Sequence, residues 1–335
     1  MTHDPHLDRR QWLAATTAAG FAGLLAAGQV AARSDETYDR IDTHQHLWDL
    51  KRFRLPWTDG NEKLARDFLI PEYRQATAGT GITTAIYMEV GMEASQQADE
   101  AQWVIELCED PTSGTMAGVI AGNPIADGFE AYAQRFAASE RIKGIRHLLH
   151  VPETPAGTCR TPEYRRNVAR LGELGLRFDL CVRPGELDDA FALARDCPET
   201  RFVLDHCGNA DPVAFAAADR RPRAADHDAD AWRRSIERLA SLDNVVCKIS
   251  GIIARVDPEH WHAEELAPIV DHCLDAFGSE RVMFAGDWPV CTLGAPLAAW
   301  VEALDTITET RSPEFRRRLY RDNANRFYAL GLGDD

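Results

Sequence analysis

The 335-residue sequence contains no Cys-x-x-Cys pair. Its eight cysteines, Cys108, Cys159, Cys181, Cys197, Cys207, Cys247, Cys273 and Cys291, are scattered. That argues against a zinc ribbon and against a dithiol redox motif. Several stand in apolar runs, as Cys181 and Cys247 do, and are expected to be buried free thiols. Basic residues are also few: 37 against 53 acidic ones, for a net charge of −16. Nucleic acids and anionic membranes are recognised through basic patches, so neither is an expected partner. No Gly-rich phosphate loop follows the first apolar run, which counts against a doubly wound nucleotide-binding sheet. Internal repeats and low-complexity tracts are lacking. What is present is ample core material, with 45% hydrophobic residues in a chain long enough for one large domain or two ordinary ones.

The first residues do not read as part of a fold. Asp8-Arg9-Arg10-Gln11-Trp12-Leu13 precedes an Ala/Gly-rich apolar run from Ala14 to Ala32. A twin arginine before a mildly apolar segment resembles a twin-arginine export signal, and Val30-Ala31-Ala32 offers small residues for cleavage. Residues 1–32 are therefore read as the signal and 33–335 as a single domain beginning near Arg33. The run is about the ~20 residues a membrane span needs, but its Gly, Ala and Thr content favours cleavage over anchoring. The expected destination is the periplasm, with no stable membrane partner. The resemblance implies export of an already folded protein, which suits cysteines that need no pairing.

From Tyr38 onward, continuous apolar runs alternate with helical periodicity. Strand-like runs fall at 38–46, 83–90, 116–121, 142–149, 176–182, 201–205, 244–249 and 281–285. Helical patterns fall at 71–80, 95–109 with a Ser95 cap, 127–139, 161–174, 186–196, 231–241, 261–277, 297–308 and 313–330. Continuous rather than alternating strands indicate burial on both faces, as in a parallel sheet. Eight such units point to a (β/α)8 TIM barrel in the α/β class. The polar stretch Asp211–Asp230 reads as a surface excursion.

In a barrel the site lies at the C-terminal ends of the strands. Polar residues gather there: His44 and His46, Glu89, Arg146 and His147, Arg183, Asp205 and His206, Lys248, and Asp287. On a strand His44 and His46 share a face, so they can hold a metal or donate to a substrate carbonyl. Arg146 and His147 are adjacent, so a regular strand turns only one inward. Asp287, between Gly286 and Trp288, is the expected base that activates water. His206 is a third imidazole, acting as ligand, carbonyl donor or acid. Trp57 is a candidate pocket wall.

Asp42-Thr43-His44-Gln45-His46-Leu47-Trp48 and Gly286-Asp287-Trp288-Pro289-Val290 resemble the amidohydrolase superfamily. Gly144-Ile145-Arg146-His147, Leu204-Asp205-His206-Cys207-Gly208 and Cys247-Lys248-Ile249-Ser250-Gly251 resemble its sugar-lactonase branch, the fuconolactonase- and rhamnonolactonase-like enzymes. The resemblance spans nearly the whole chain after the signal. It implies a hydrolase that opens a sugar lactone, with Asp287 and His206 catalytic. Arg146, His147, Glu89, Trp57, Arg183, Lys248 and Trp288 are the expected substrate contacts. His44 and His46, with His206 and Asp287, form an N3O set for one zinc or manganese ion. The branch also contains members that work without metal, so both cases stand open. Binuclear relatives carry a carbamylated lysine at the fourth strand, where this chain has Ile145-Arg146-His147, so a bridged pair of ions is not expected. Lys248 is assigned to substrate or to Asp205. Two alternatives stand beside this: a metal-dependent aromatic-lactone hydrolase or decarboxylase on the same barrel, and an exported sugar-binding protein without chemistry. The oligomeric state is not legible.

Overall fold

The computed structural model of the chain describes residues 38–333, apart from 218 and 220. The twin-arginine segment and the cleavage region near Arg33 lie outside the described residues. Eight parallel strands follow one another in a single sheet, in sequence order. They are β1 Arg40–Gln45, β2 Ile82–Met88, β3 Thr115–Ala121, β4 Ile142–Leu148, β5 Arg177–Cys181, β6 Phe202–Leu204, β7 Val245–Ile249 and β8 Val282–Phe284. The ring closes just beyond β8, where the His46 N–H donates to the Trp288 carbonyl at 2.8 Å and Gln45 bridges Trp288 in parallel. The fold is the expected (β/α)8 barrel.

Helices pack outside the strands because each carries an apolar stripe. Ala229–Ala240 turns Trp232, Ile236 and Leu239 inward and leaves its charged face to solvent. Helix boundaries agree with the periodicity to within a few residues, with local differences. Ser95 does not cap its helix: a short 3-10 turn, Ala94–Gln96, intervenes and the helix starts at Gln97. The last segment is helical from Pro313 to Tyr328 but is interrupted by a π turn at Arg318–Asp322. The stretch after Asp211 is not wholly a surface excursion, since Asp211 is fully buried and its carboxylate takes both arms of Arg223 at 2.6 and 2.8 Å.

The barrel interior is layered. At its N-terminal end, Ile41, Ile86, Ala117, Val203, Val246 and Met283 form an apolar plug, sealed by Phe327 and Tyr328 of the C-terminal segment. Above the plug lies a layer of buried charges, and above that an open cavity. Apolar filling below and polar groups above follow from strand alternation: Val246 and Lys248 project to the same side of β7, two residues apart.

Candidate active site

The first strand is irregular where it matters. Between Asp42 and Gln45, β1 advances three residues while β2 advances two, from Ala85 to Tyr87. This bulge separates Asp42 from the histidines. Asp42 accepts from the Tyr73 hydroxyl at 2.8 Å, from the Gly286 N–H at 2.7 Å and from the His44 N–H at 2.9 Å. Burial pushes its carboxyl above the ordinary value. Asp42 is thus a clamp between the first and last strands. A Cβ on Gly286 would stand 2.5 Å from its carboxylate, so the residue before Asp287 has to be glycine.

His44 and His46 both reach the site, with ring centroids 4.8 Å apart. Their roles differ. The Nδ1 of His46 lies 3.0 Å from the Met88 carbonyl, which can only accept, so the proton sits on Nδ1. The His46 Nε2 faces Asp287 Oδ1 at 3.4 Å. His44 is fully buried, and Arg146 donates to its Nε2 at 3.1 Å. Its Nδ1 lies between Lys248 Nζ at 3.4 Å and Asp205 at 3.6 Å. Burial holds the His44 imidazole well below its usual pKa, so it is neutral at pH 7.

Asp287 stands at the mouth with φ of 55° and the following Trp288–Pro289 peptide cis. Three imidazole Nε2 atoms surround its Oδ1: His46 at 3.4 Å, His44 at 3.8 Å and His206 at 4.0 Å. His206 opens a run of four left-handed residues, His206, Cys207, Gly208 and Asn209. Its Nδ1 is 2.9 Å from the Ser250 hydroxyl. Burial lowers its pKa, leaving a neutral ring.

Beneath these groups lies the ionic layer. Arg146 donates from Nε to Glu89 at 2.6 Å and from Nη2 to the Glu89 carbonyl at 2.8 Å. Its Nη1 also reaches Asp205 at 3.4 Å. Lys248 is fully buried, 2.6 Å from Asp179 and 3.2 Å from Asp205. Burial lifts the Asp179 carboxyl to about 7 even against the lysine. For Asp205 burial also opposes the charge, but Lys248 and His44 outweigh it and hold the carboxyl well below its usual value.

The expected site residues thus fall into three groups. His46, Trp57, Arg146, His206 and Asp287 line one cavity of about 420 Å³. His44, Glu89 and Lys248 are buried beside or under it. The others are elsewhere. His147 points outward from β4, against the Tyr164 hydroxyl at 3.2 Å, because β4 and β5 run in regular register from Gly144 to Leu148. Arg183 is held by Glu186 and by the Val151 and Thr154 carbonyls, and so pins a loop. Trp288 is buried behind the site, against Phe68 and Tyr73. Sequence reasoning missed Asp179. Its signal was a lone carboxylate inside the apolar run Phe178-Asp179-Leu180.

Among the described residues, two ligand groups are close enough to hold a cation: His44, His46 and Asp287, and His44, Asp205 and His206, each with donor atoms within 4.8 Å of one another. Donors on a tetrahedral ion stand about 3.4 Å apart, near the 3.4 Å between His46 and Asp287. The Met88 carbonyl on Nδ1 is the outer partner that a metal-bound imidazole commonly has. An ion on His44 would have to displace the Arg146 N–H from Nε2.

A family model described as amidohydrolase matches residues 41–330. The L-fucono-1,5-lactonase of Burkholderia multivorans is 31% identical over 302 residues, which cover 87% of this chain and 96% of that protein. A crystal structure of an amidohydrolase from Burkholderia multivorans with bound HEPES is 28% identical, with a TM-score of 0.75 over 88% of this chain and 100% of that one. A second, with bound zinc, is 29% identical with a TM-score of 0.73 over the same shares.

Proposed function

The chain belongs to the amidohydrolase family, and on that premise we propose that it hydrolyses a sugar lactone to the corresponding hydroxy acid. The observation that carries the reading is Asp287, a carboxylate at the cavity mouth with three imidazole Nε2 atoms within 4.0 Å of one oxygen. Lactone opening needs a base for water, a donor for the carbonyl oxygen and an acid for the leaving alcohol. Asp287 takes a proton from water as the water oxygen bonds to the carbonyl carbon. His206 polarises the carbonyl: with the Ser250 hydroxyl donating to Nδ1, its own proton is on Nε2, facing the cavity. On collapse the bond from carbonyl carbon to ring oxygen breaks, and Asp287 returns its proton to that oxygen. His44, neutral and fixed by Arg146 and Asp205, packs beneath the carboxylate at 3.8 Å without donating to it.

The 31% identical relative named L-fucono-1,5-lactonase supports this choice of bond. His44, His46 and Asp287 would hold one zinc or manganese ion if the Arg146 N–H left His44 Nε2, and their donor set fits either. Such an ion supplies Lewis acidity and lowers the pKa of water. The reading also includes export: residues 1–32 act as a twin-arginine signal delivering a folded enzyme to the periplasm. Arg9→Lys with Arg10→Lys is expected to retain activity in the cytoplasmic fraction, and unchanged export would sink that part.

The test is acid release by the chain from Arg33, across a panel of sugar lactones, before and after chelation. Acid release is expected. Loss on chelation with recovery in zinc or manganese assigns an ion to the His46 corner; survival assigns polarisation to the imidazoles alone. No acid from any lactone refutes the reading.

A further inference from the structure

The cavity floor and the cavity wall differ in chemistry. The floor carries His46, His206 and Asp287. The wall is mostly hydrocarbon. Val90, Leu148 and Val151 stand on the side of β2 and β4, and Ala254, Val290 and Leu293 on the side of β7 and β8. All but Val90 keep part of their surface exposed, so these are apolar groups waiting at an open site rather than core. Trp57 closes the rim with 43% of its surface exposed.

One exposed imidazole, His150, lines the wall with its Nδ1 3.2 Å from the Cys181 sulfur; the other polar groups there are largely committed within the protein. The Trp57 indole N–H donates to the Val90 carbonyl at 2.6 Å, leaving its ring face to the cavity. The Asn209 amide donates to the Val182 carbonyl at 2.8 Å. Arg255 donates to the Asn209 carbonyl at 2.9 Å and pairs with Asp226. Arg146 is held by Glu89, Asp205 and His44. A hydroxyl-rich ring pressed against this wall loses water from each hydroxyl and gains few partners. An alkyl or aryl substituent loses nothing there and removes hydrocarbon from water.

From this we infer that the cavity selects a lactone with few hydroxyls and a contiguous apolar substituent over a fully hydroxylated aldonolactone. The inference rests on the lactonase reading and moves its preferred substrate from a fully hydroxylated sugar lactone toward one poor in hydroxyls. The carbonyl end meets the floor, and the substituent lies between Leu148 and Leu293, under Trp57.

The experiment compares kcat/KM for three lactones: a fully hydroxylated six-carbon aldonolactone, its 6-deoxy counterpart, and a δ-lactone bearing an alkyl chain and no hydroxyl. The expected order rises along that series, with the alkyl lactone ahead of the first by about tenfold or more, the scale on which apolar pockets discriminate. Equal values, or preference for the hydroxylated lactone, overturn this inference and leave the lactonase reading intact. Acid release from none of the three overturns both. Leu293→Asn is the second arm. It is expected to lower the alkyl-to-hydroxylated ratio by about fivefold, and an unchanged ratio counts against the proposal. Both rates come from one sample, so partial unfolding cancels from the ratio.

Discussion

A backbone carbonyl that can only accept fixes the proton of His46, whereas His44 has the Arg146 guanidinium 3.1 Å from Nε2 and the Lys248 ammonium 3.4 Å from Nδ1. Two histidines two residues apart therefore do different work, one facing the cavity and one buried under it. Asp287 sits where both meet. Asp287→Asn keeps the shape but removes the proton acceptor, so kcat is expected to fall by about 10²–10⁴ with little change in KM, read by acid release on a lactone that the wild type turns over. Full turnover by the variant would remove Asp287 from the mechanism. A second buried carboxyl serves stability. Glu100 accepts from the Tyr87 hydroxyl and the Val90 N–H, both at 3.0 Å. Burial pushes its pKa up to about 8, against ~4.3 in an unfolded chain. Between those values the folded state binds the extra proton, so this contribution is full below pH ~4.3 and is lost as pH rises toward 8. Glu100→Gln cannot ionise. Its melting temperature relative to wild type is expected to rise between pH 5 and pH 8.5, and a constant difference would contradict the assignment.

At the scale of single elements, the turn after β6 gathers three of the left-handed non-glycine residues among those described. His206, Cys207 and Asn209 all hold φ between 53° and 56°, beside Gly208 at 67°. Left-handed backbone costs about 1–2 kcal/mol for each such non-glycine residue. The neighbours fix the turn. The Gly208 N–H donates to the Asp205 carbonyl at 2.8 Å, and the Trp232 indole to the Cys207 carbonyl at 3.0 Å. Strain of this kind collects at functional sites, and here it aims His206 at Ser250 and Asp287. The loop after β7 must leave room for that ring. A Cβ on Gly251 would lie 2.5 Å from the His206 Cβ and Cγ, at a φ of 74°. Gly251→Ala is therefore expected to displace the imidazole and lower kcat/KM by about 10², beyond any loss in melting temperature. A folded variant with full activity would show that His206 needs no fixed position.

The whole molecule is a barrel with charge in its middle. Lys248, Asp179, Asp205, Arg146 and Glu89 come from or follow five different strands, and all are buried. No apolar plug could hold them unpaired; they persist because each meets an opposite charge. Removing one partner from a buried pair costs about 3–5 kcal/mol, whereas replacing both can be nearly neutral. Lys248→Met is thus expected to lose stability on that scale in urea unfolding. Lys248→Met with Asp179→Asn should lose less, with Asp205 still held by Arg146 at 3.4 Å. Equal losses in the single and double variants would show that the pair is not coupled.

Much of this architecture was legible in one dimension. Eight apolar runs alternating with amphipathic periodicity determine a parallel barrel, because strands buried on both faces need helices to cover them. That principle also placed His44, His46, His206 and Asp287 at strand ends, hence at one mouth. What alternation could not reveal was the bulge in β1, which takes Asp42 away from the histidines it precedes. Nor could it show that Arg183 pins a loop or that His147 turns to a helix, since strand-end position says nothing about which neighbour a side chain meets. Asp179 was hidden in its own strand, and its meaning appeared only beside Lys248, 69 residues later. The barrel and the kinds of group at its mouth follow from local periodicity, which any stretch of the chain carries within itself. Which of those groups face the cavity and which hold the others is set by folding, because it depends on charges and carbonyls brought together from distant strands.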